Sequence, residues 1–325
     1  MKKEARILFM GTPGFAVASL DALVRNDFII PGVITTPDKP AGRGRNIIKS
    51  AVAEYAENKG LELLQPEKLK DPMFLERVRD LKPDIAVVVA FRMLPEELWK
   101  IPGMGTFNLH ASLLPQYRGA APINHVIING EKTTGNTTFL IDKNIDTGNI
   151  LLQEELEINP GENAGLLHDR LMIQGAELVV KTVKLILSGN AKPSDQQFFI
   201  KSGTVLKTAP KIFPADCYID WSKSAEQVYN LVRGMSPYPG ARTILFNGKK
   251  EILLKILEAE ICDGDPGLTA GTIVFDNRPG LKIKCRDAYL DIKIIQPEGK
   301  KVMKSEDYLR GVDVKTLKLL TNPQA

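Results

Sequence analysis

Apolar residues fall along this chain in two rhythms, and the change between them comes near residue 190. Before that point, short apolar runs alternate with helical stripes. Arg6-Ile7-Leu8-Phe9-Met10 reads as a buried strand that ends at Gly11-Thr12-Pro13-Gly14. Ala16, Val17, Leu20, Leu23 and Val24 then recur at helical spacing. Residues 29–34 predict a second strand, and residues 50–59 a helix closed by Gly60. The near-continuous run Ile85-Ala86-Val87-Val88-Val89-Ala90 is what a parallel strand buried on both faces requires. Strands over 105–109 and 134–142 flank a helix near 121–129. A long helix over 164–188, striped by Leu166, Leu167, Leu171, Leu178, Val179, Val183 and Leu187, closes the pattern. The alternation predicts a three-layer α/β domain with an open, mostly parallel sheet.

Gly189-Asn190-Ala191-Lys192-Pro193 and the polar residues after it read as a linker. The expected organisation is a domain over 1–189, a linker over 190–208 and a second domain over 209–325. In the second domain a short helix over 224–233 precedes strands near 242–246, 252–259, 271–275, 281–285 and 289–295. Gly and Pro separate these strands, so a small β-barrel or sandwich is predicted. A length of 325 residues agrees with two cores rather than one.

Composition narrows the class without naming a function. Hydrophobic residues make up 43% and charged residues 25% of the chain, ordinary values for a soluble protein. No apolar stretch approaches the ~20 residues of a spanning helix, and no secretory signal is read at the N-terminus. Neither a membrane nor secretion is expected. Cys217, Cys262 and Cys285 are widely separated and odd in number, which suggests free thiols in a reducing cytoplasm. The protein is expected to be monomeric. A net charge of +4, weighted to the second half, permits a polyanionic partner without demanding one.

Four segments carry candidate chemistry. Gly11-x-x-Gly14 follows a strand but lacks the full dinucleotide fingerprint, and it reads as a tight strand–helix turn. Residues 36–45, which include Lys39, Arg43 and Arg45, are rich in Pro, Gly and cations. The segment is either a solvated irregular loop or one that lies along a phosphate backbone. Asn108 and His110 stand two apart in an extended segment and so point to one side. A carboxylate from a distant turn, Asp146 in Ile145-Asp146-Thr147-Gly148, can orient the imidazole. An amide, an imidazole and a carboxylate suffice for acyl transfer to an amine, with neither metal nor covalent nucleophile. Each of these residues taken alone also fits a structural role. Metal-ligand spacing is absent, Ser112 lacks a G-x-S-x-G context, and His125 and His168 lie in helix-like segments.

Together these residues resemble the 10-formyltetrahydrofolate-dependent formyltransferases. Asn108-Leu109-His110-Ala111-Ser112-Leu113-Leu114-Pro115 is similar to that family's Asn-x-His-x-Ser-Leu-Leu-Pro signature. Arg118-Gly119-Ala120-Ala121-Pro122 and Asp146-Thr147-Gly148 continue the likeness. The resemblance implies a Rossmann-like catalytic domain, an OB-like C-terminal domain, and 10-formyltetrahydrofolate as co-substrate without a metal. It implies Asn108 as oxyanion donor, His110 in proton transfer or intermediate stabilisation, and Asp146 as orienter of His110. Ser112, Leu113, Leu114 and Pro115, with Phe91 and Arg92, are implied to line the folate pocket.

These motifs are silent on the acceptor. Pro37-Asp38-Lys39-Pro40-Ala41-Gly42-Arg43-Gly44 resembles the insertion loop of the tRNA-acting branch. Lys211 and Ile219-Asp220-Trp221-Ser222 resemble the start of that branch's tRNA-binding domain. The implied acceptor is the α-amine of methionine on initiator tRNA, with Lys39, Arg43, Arg45 and Lys211 as tRNA contacts. Two rivals are an amino-sugar-nucleotide formyltransferase and a non-catalytic tRNA-binding module. The chain departs from the family at Ala90-Phe91-Arg92-Met93-Leu94-Pro95, one residue short and with Arg92 where a glycine is usual. Asn149 stands where relatives often carry aspartate.

Overall fold

The computed structural model describes residues 5–41, 46–200, 203–275 and 280–320. Two compact units divide the chain, and neither is continuous in sequence. The first comprises Met1–Gly119, Thr133–Glu157 and His168–Thr208; the second comprises Ala120–Lys132, Ile158–Leu167 and Ala209–Ala325.

In the first unit seven strands form one sheet, in the order Ile150–Glu157, Thr133–Leu140, Thr106–His110, Ile85–Val89, Arg6–Gly11, Ile29–Ile34, Leu63–Leu64. All its pairings are parallel except the two made by Thr133–Leu140. The central strand is apolar on both faces because both are covered: Ile7, Leu8, Phe9 and Met10 have no exposed surface. On one side Leu8 and Met10 join Ala86, Val88, Val78 and Leu98 in a single apolar cluster. Strand order reverses between Arg6–Gly11 and Ile85–Val89, so the crevice of the sheet opens at their C-terminal ends. Gly11 ends the first strand where a Cβ would meet that of Ala16 at 2.6 Å. The Gly11–Gly14 segment is therefore a close strand–helix turn, leading into the helix Gly14–Arg25.

Several elements differ from the pattern read off the sequence. Residues 36–45 are not wholly irregular: Lys39–Ala41 pairs antiparallel with Asn46–Ile48. A two-stranded ribbon has only edge strands, where a proline is tolerated. The helix Pro72–Asp80 was signalled by Asp71, whose side chain accepts from the Phe74 N–H, and by proline in its first turn. The edge strand Ile150–Glu157 pairs with Thr133–Leu140. The segment 190–208 groups with the first unit. Ser194 exchanges both backbone hydrogen bonds with Ile150 (2.8 and 2.9 Å), and Gln196 is 2% exposed.

The second unit is built on an antiparallel sheet in the order Ile273–Val274, Leu281–Lys284, Tyr289–Pro297, Glu251–Cys262, Ala241–Asn247, Leu317–Leu320. Its two end strands approach each other, so the sheet curls nearly closed as a barrel. Ala225–Met235 covers it, capped reciprocally by Ser224 and Gln227. Val228, Val232, Leu254, Ile256, Ile283 and Ile292 share the core. The helix Pro122–Ile128, read as part of the N-terminal domain, packs on Ala225–Met235: Asn124 donates to the Gly234 carbonyl at 2.7 Å. The buried Arg233 donates to the Glu162 carbonyl at 2.7 Å, which ties Ile158–Leu167 to the same helix. Among the described residues, no helix is long and apolar enough to cross a membrane.

All three cysteines are free. Cys217 and Cys285 have no exposed surface, and burial pushes the Cys285 thiol up to about 12. Burial penalises the thiolate, so neither buried thiol is reactive near neutrality. Native-state alkylation at pH 8, read by mass spectrometry, should modify the half-exposed Cys262 first and spare Cys217 and Cys285 until unfolding. Early labelling of Cys285 would contradict the described core.

Candidate active site

Asn108 and His110 occupy the C-terminal half of Thr106–His110, beside Ile85–Val89 and Thr133–Leu140. Their separation by two puts both on one face of the sheet. Asn108 is half-buried, and among the described residues its side-chain amide has no hydrogen-bond partner. The His110 side chain is only 7% exposed.

Asp146 reaches this place from the turn between Thr133–Leu140 and Ile150–Glu157. Asp142 organises the turn by accepting from the Asn144 N–H (2.9 Å) and the Thr147 hydroxyl (2.8 Å). Gly148 fits where a Cβ would strike the Leu140 carbonyl oxygen at 1.6 Å. Oδ2 of Asp146 accepts from the Gly119 N–H at 2.9 Å and lies 3.8 Å from Nδ1 of His110. That is ion-pair range but beyond a direct hydrogen bond.

The other ring nitrogen is committed. Nε2 of His110 lies 2.9 Å from the Tyr117 carbonyl oxygen. A carbonyl can only accept, so Nε2 holds the hydrogen and Nδ1 is the nitrogen able to take a proton. Tyr117 presents that carbonyl from a left-handed backbone conformation, φ +61°. Residues 112–116 hold the turn before it. The Ser112 hydroxyl donates to the Gln116 carbonyl at 2.7 Å. Thr137 donates to the Ser112 carbonyl (2.6 Å) and accepts from the Leu114 N–H (3.1 Å) and Gln153 Nε2 (2.8 Å). Gln153 also donates to the Leu114 carbonyl at 2.9 Å.

The remaining sequence candidates fall in several places. Ser112 has no exposed surface, and its hydroxyl is used inside the turn. Leu114 clusters with Phe139 and Ile150; Pro115 is buried and Leu113 half-buried. Phe91 and Arg92 follow the neighbouring strand Ile85–Val89. Arg92 donates to the Glu67 carbonyl at 3.0 Å and to the Pro66 carbonyl, with its guanidinium 5.6 Å from the Phe91 ring centre. Burial pulls its pKa below the usual arginine value. Arg92 is thus spent on joining two loops. Lys39 is exposed on its ribbon; Arg43 and Arg45 lie outside the described residues. Lys211, in the second unit, is exposed with Nζ 5.5 Å from the Phe213 ring centre. His125 and His168 bond to the Pro210 carbonyl and to Asp169.

Sequence reasoning missed Tyr117, Thr137 and Gln153, and it met Gly119 only within the Arg118–Pro122 motif, without a role. Tyr117 and Gly119 act through backbone atoms, which carry no side-chain signature. Thr137 lies on the strand predicted over 134–142, which the structure pairs with that of His110.

The chain matches the model of the Formyl transferase family over residues 5–183 and that of the Formyl transferase, C-terminal domain, over 211–313. A relative from Parabacteroides distasonis, named methionyl-tRNA formyltransferase, is 48% identical over 314 residues, 96% of this chain and 97% of its own. One of the same name from Azobacteroides pseudotrichonymphae is 50% identical over 95% of this chain and 96% of its own. Among solved structures, an N-formyltransferase from Helicobacter canadensis in complex with folinic acid and dTDP-3-aminofucose superposes with TM-score 0.65 at 22% identity. It covers 89% of this chain and 98% of that one. HypX from Aquifex aeolicus in complex with tetrahydrofolic acid gives TM-score 0.62 at 18% identity, over 94% of this chain and 47% of that one. At these identities the two structures show a shared fold.

The Tyr117 contact fixes a measurable property. Nitrogen-15 spectra of the full chain at pH 8 should show neutral His110 as the Nε2–H tautomer. A dominant Nδ1–H form would mean the ring is turned over and would remove Nδ1 as proton acceptor.

Proposed function

The chain belongs to the formyl transferase family, and from that premise we propose that it formylates the methionyl α-amine of initiator tRNA with 10-formyltetrahydrofolate as donor. The observation that carries the proposal is the placement of Asp146, from a separate turn, 3.8 Å from His110, whose strand also presents Asn108. Relatives bearing the methionyl-tRNA formyltransferase name match nearly the whole chain, which supports the tRNA acceptor over a sugar nucleotide.

The donor supplies the formyl carbon; the remaining demands fall on the chain. Asn108, with a free amide among the described residues, fits the developing oxyanion, a contact of a kind worth about 3–4 kcal/mol. As the amine nitrogen bonds to the formyl carbon, His110 takes its proton at Nδ1, with Nε2–H still donating to the Tyr117 carbonyl. The bond from that carbon to the donor nitrogen then breaks, and tetrahydrofolate leaves with the proton returned by His110. Asp146 stabilises the resulting imidazolium from 3.8 Å. Leu113 and Phe91, both half-exposed, supply apolar surface for a flat folate ring. Arg92 holds the Phe91 loop in place. Lys39, Arg43, Arg45 and Lys211 are assigned to the tRNA phosphates.

Incubation with 10-formyltetrahydrofolate and charged initiator tRNA should give acid-stable formylmethionine; formylation only of an amino-sugar nucleotide would reject the acceptor. His110→Ala should lower kcat by about a hundredfold or more while tRNA affinity holds. Equal losses in both would make His110 a folding residue. Arg43→Ala should raise the KM for charged tRNA and leave that for folate alone, a difference that shrinks as salt is raised. An unchanged tRNA KM would reject the assignment of its loop.

A further inference from the structure

Gln196 lies in the segment whose composition suggests a linker, yet every hydrogen-bonding position of its side chain is filled. Nε2 donates to the carbonyl oxygens of Asp146 and Gly148, each at 2.9 Å. Oε1 accepts from Nε of Arg118 at 3.1 Å and from Nη2 of the same guanidinium. A primary amide has two N–H donors and two lone pairs, so none remains. Burial to 2% exposure makes that saturation necessary, since an unpaired polar atom there is costly.

The partners make the arrangement specific. The Gly119 N–H also bonds to Oδ2 of Asp146, linking the neighbour of Arg118 to the residue whose carbonyl Gln196 holds. Gln196 therefore grips residue 118 on one side of that bond and residue 146 on the other. Asp146 has φ +54°, a left-handed conformation that a non-glycine residue keeps only where its surroundings over-determine it. The carbonyls of Asp146 and Gly148 bracket the turn that aims the carboxylate. Ser194, two residues before Gln196, is bonded to Ile150 just beyond that turn, so the anchor is itself fixed.

We infer that Gln196 is a positioning residue for formyl transfer, a side-chain clamp that sets the Asp146 carboxylate against His110. The inference rests on the roles given to His110 and Asp146 above. Glutamine is required at both ends of the clamp. Glutamate keeps the pairing with Arg118 but turns an oxygen toward two carbonyl oxygens. Methionine matches the length and loses both ends.

The test is a cycle on the full-length protein with charged initiator tRNA and 10-formyltetrahydrofolate, comparing Gln196→Glu, Asp146→Asn and the double variant. Gln196→Glu should lower kcat by about ten- to a hundredfold, with the KM of each substrate little changed. In the Asp146→Asn background it should cost nothing further, because the amide acts through that carboxylate. A merely structural residue would instead give multiplicative losses, or losses that track the fall in melting temperature. Wild-type kcat in Gln196→Glu, or multiplication of the two effects, overturns the inference. Gln196→Met repeats the cycle if the glutamate variant does not fold; failure of both to fold would assign Gln196 to stability and overturn it as well. If Asp146→Asn and His110→Ala keep full activity, the reading of the pair falls, and Gln196 falls with it for that separate reason.

Discussion

An imidazole offers two nitrogens, and a site that needs one of them as a base must first dispose of the other. In the role proposed for His110, the Tyr117 carbonyl engages that second nitrogen. The turn that presents this carbonyl is maintained by buried and part-buried polar contacts: Thr137 to Ser112, Ser112 to Gln116, and Gln153 to Leu114. Each bond satisfies a group that would otherwise be stranded away from water, so the turn has few alternative conformations of comparable energy. The orientation of His110 is thus inherited from a chain of obligatory hydrogen bonds that begins on the next strand.

The surrounding apolar architecture makes those bonds count. The central strands are covered on both faces, and the polar groups gather where the strands end and the chain reverses direction. Electrostatic contacts at such an edge are screened less than at an open surface. The 3.8 Å separation of Nδ1 and Oδ2 places a carboxylate within ion-pair range of the ring and beyond a direct hydrogen bond.

Much of this was legible from periodicity. Ile85–Val89 and Arg6–Gly11 are apolar throughout because both faces are covered, and the spacing of Asn108 and His110 revealed a shared face. The second core and its helix were equally plain. The partners of amphipathic elements were less so. Val126 and Ile127 give Pro122–Ile128 an apolar face, but such a face reads the same whether a sheet or another helix covers it. Its assignment to the second unit depends on Asn124 and Gly234, residues separated by 110 positions. Composition likewise marked 190–208 as a tether, because a buried and fully bonded glutamine is indistinguishable in sequence from a solvated one. Asp146 was read as a carboxylate on a distant turn, and the Asp-Thr-Gly resemblance added to that reading, since nothing local ties it to a histidine 36 positions earlier. The backbone atoms of Tyr117 and Gly119 had no signal to read.

The interleaving of the two units has a consequence for the protein's birth. Ala120–Lys132 and Ile158–Leu167 leave the ribosome long before their partner helix, Ala225–Met235. At ordinary translation speeds, gaps of about 90 and 60 residues mean waits of roughly 3 to 20 seconds. During that interval the face of Pro122–Ile128 has none of its final neighbours from beyond residue 209. Any division of the chain near residue 208 makes the wait permanent, because it parts these two segments from the helix they pack on.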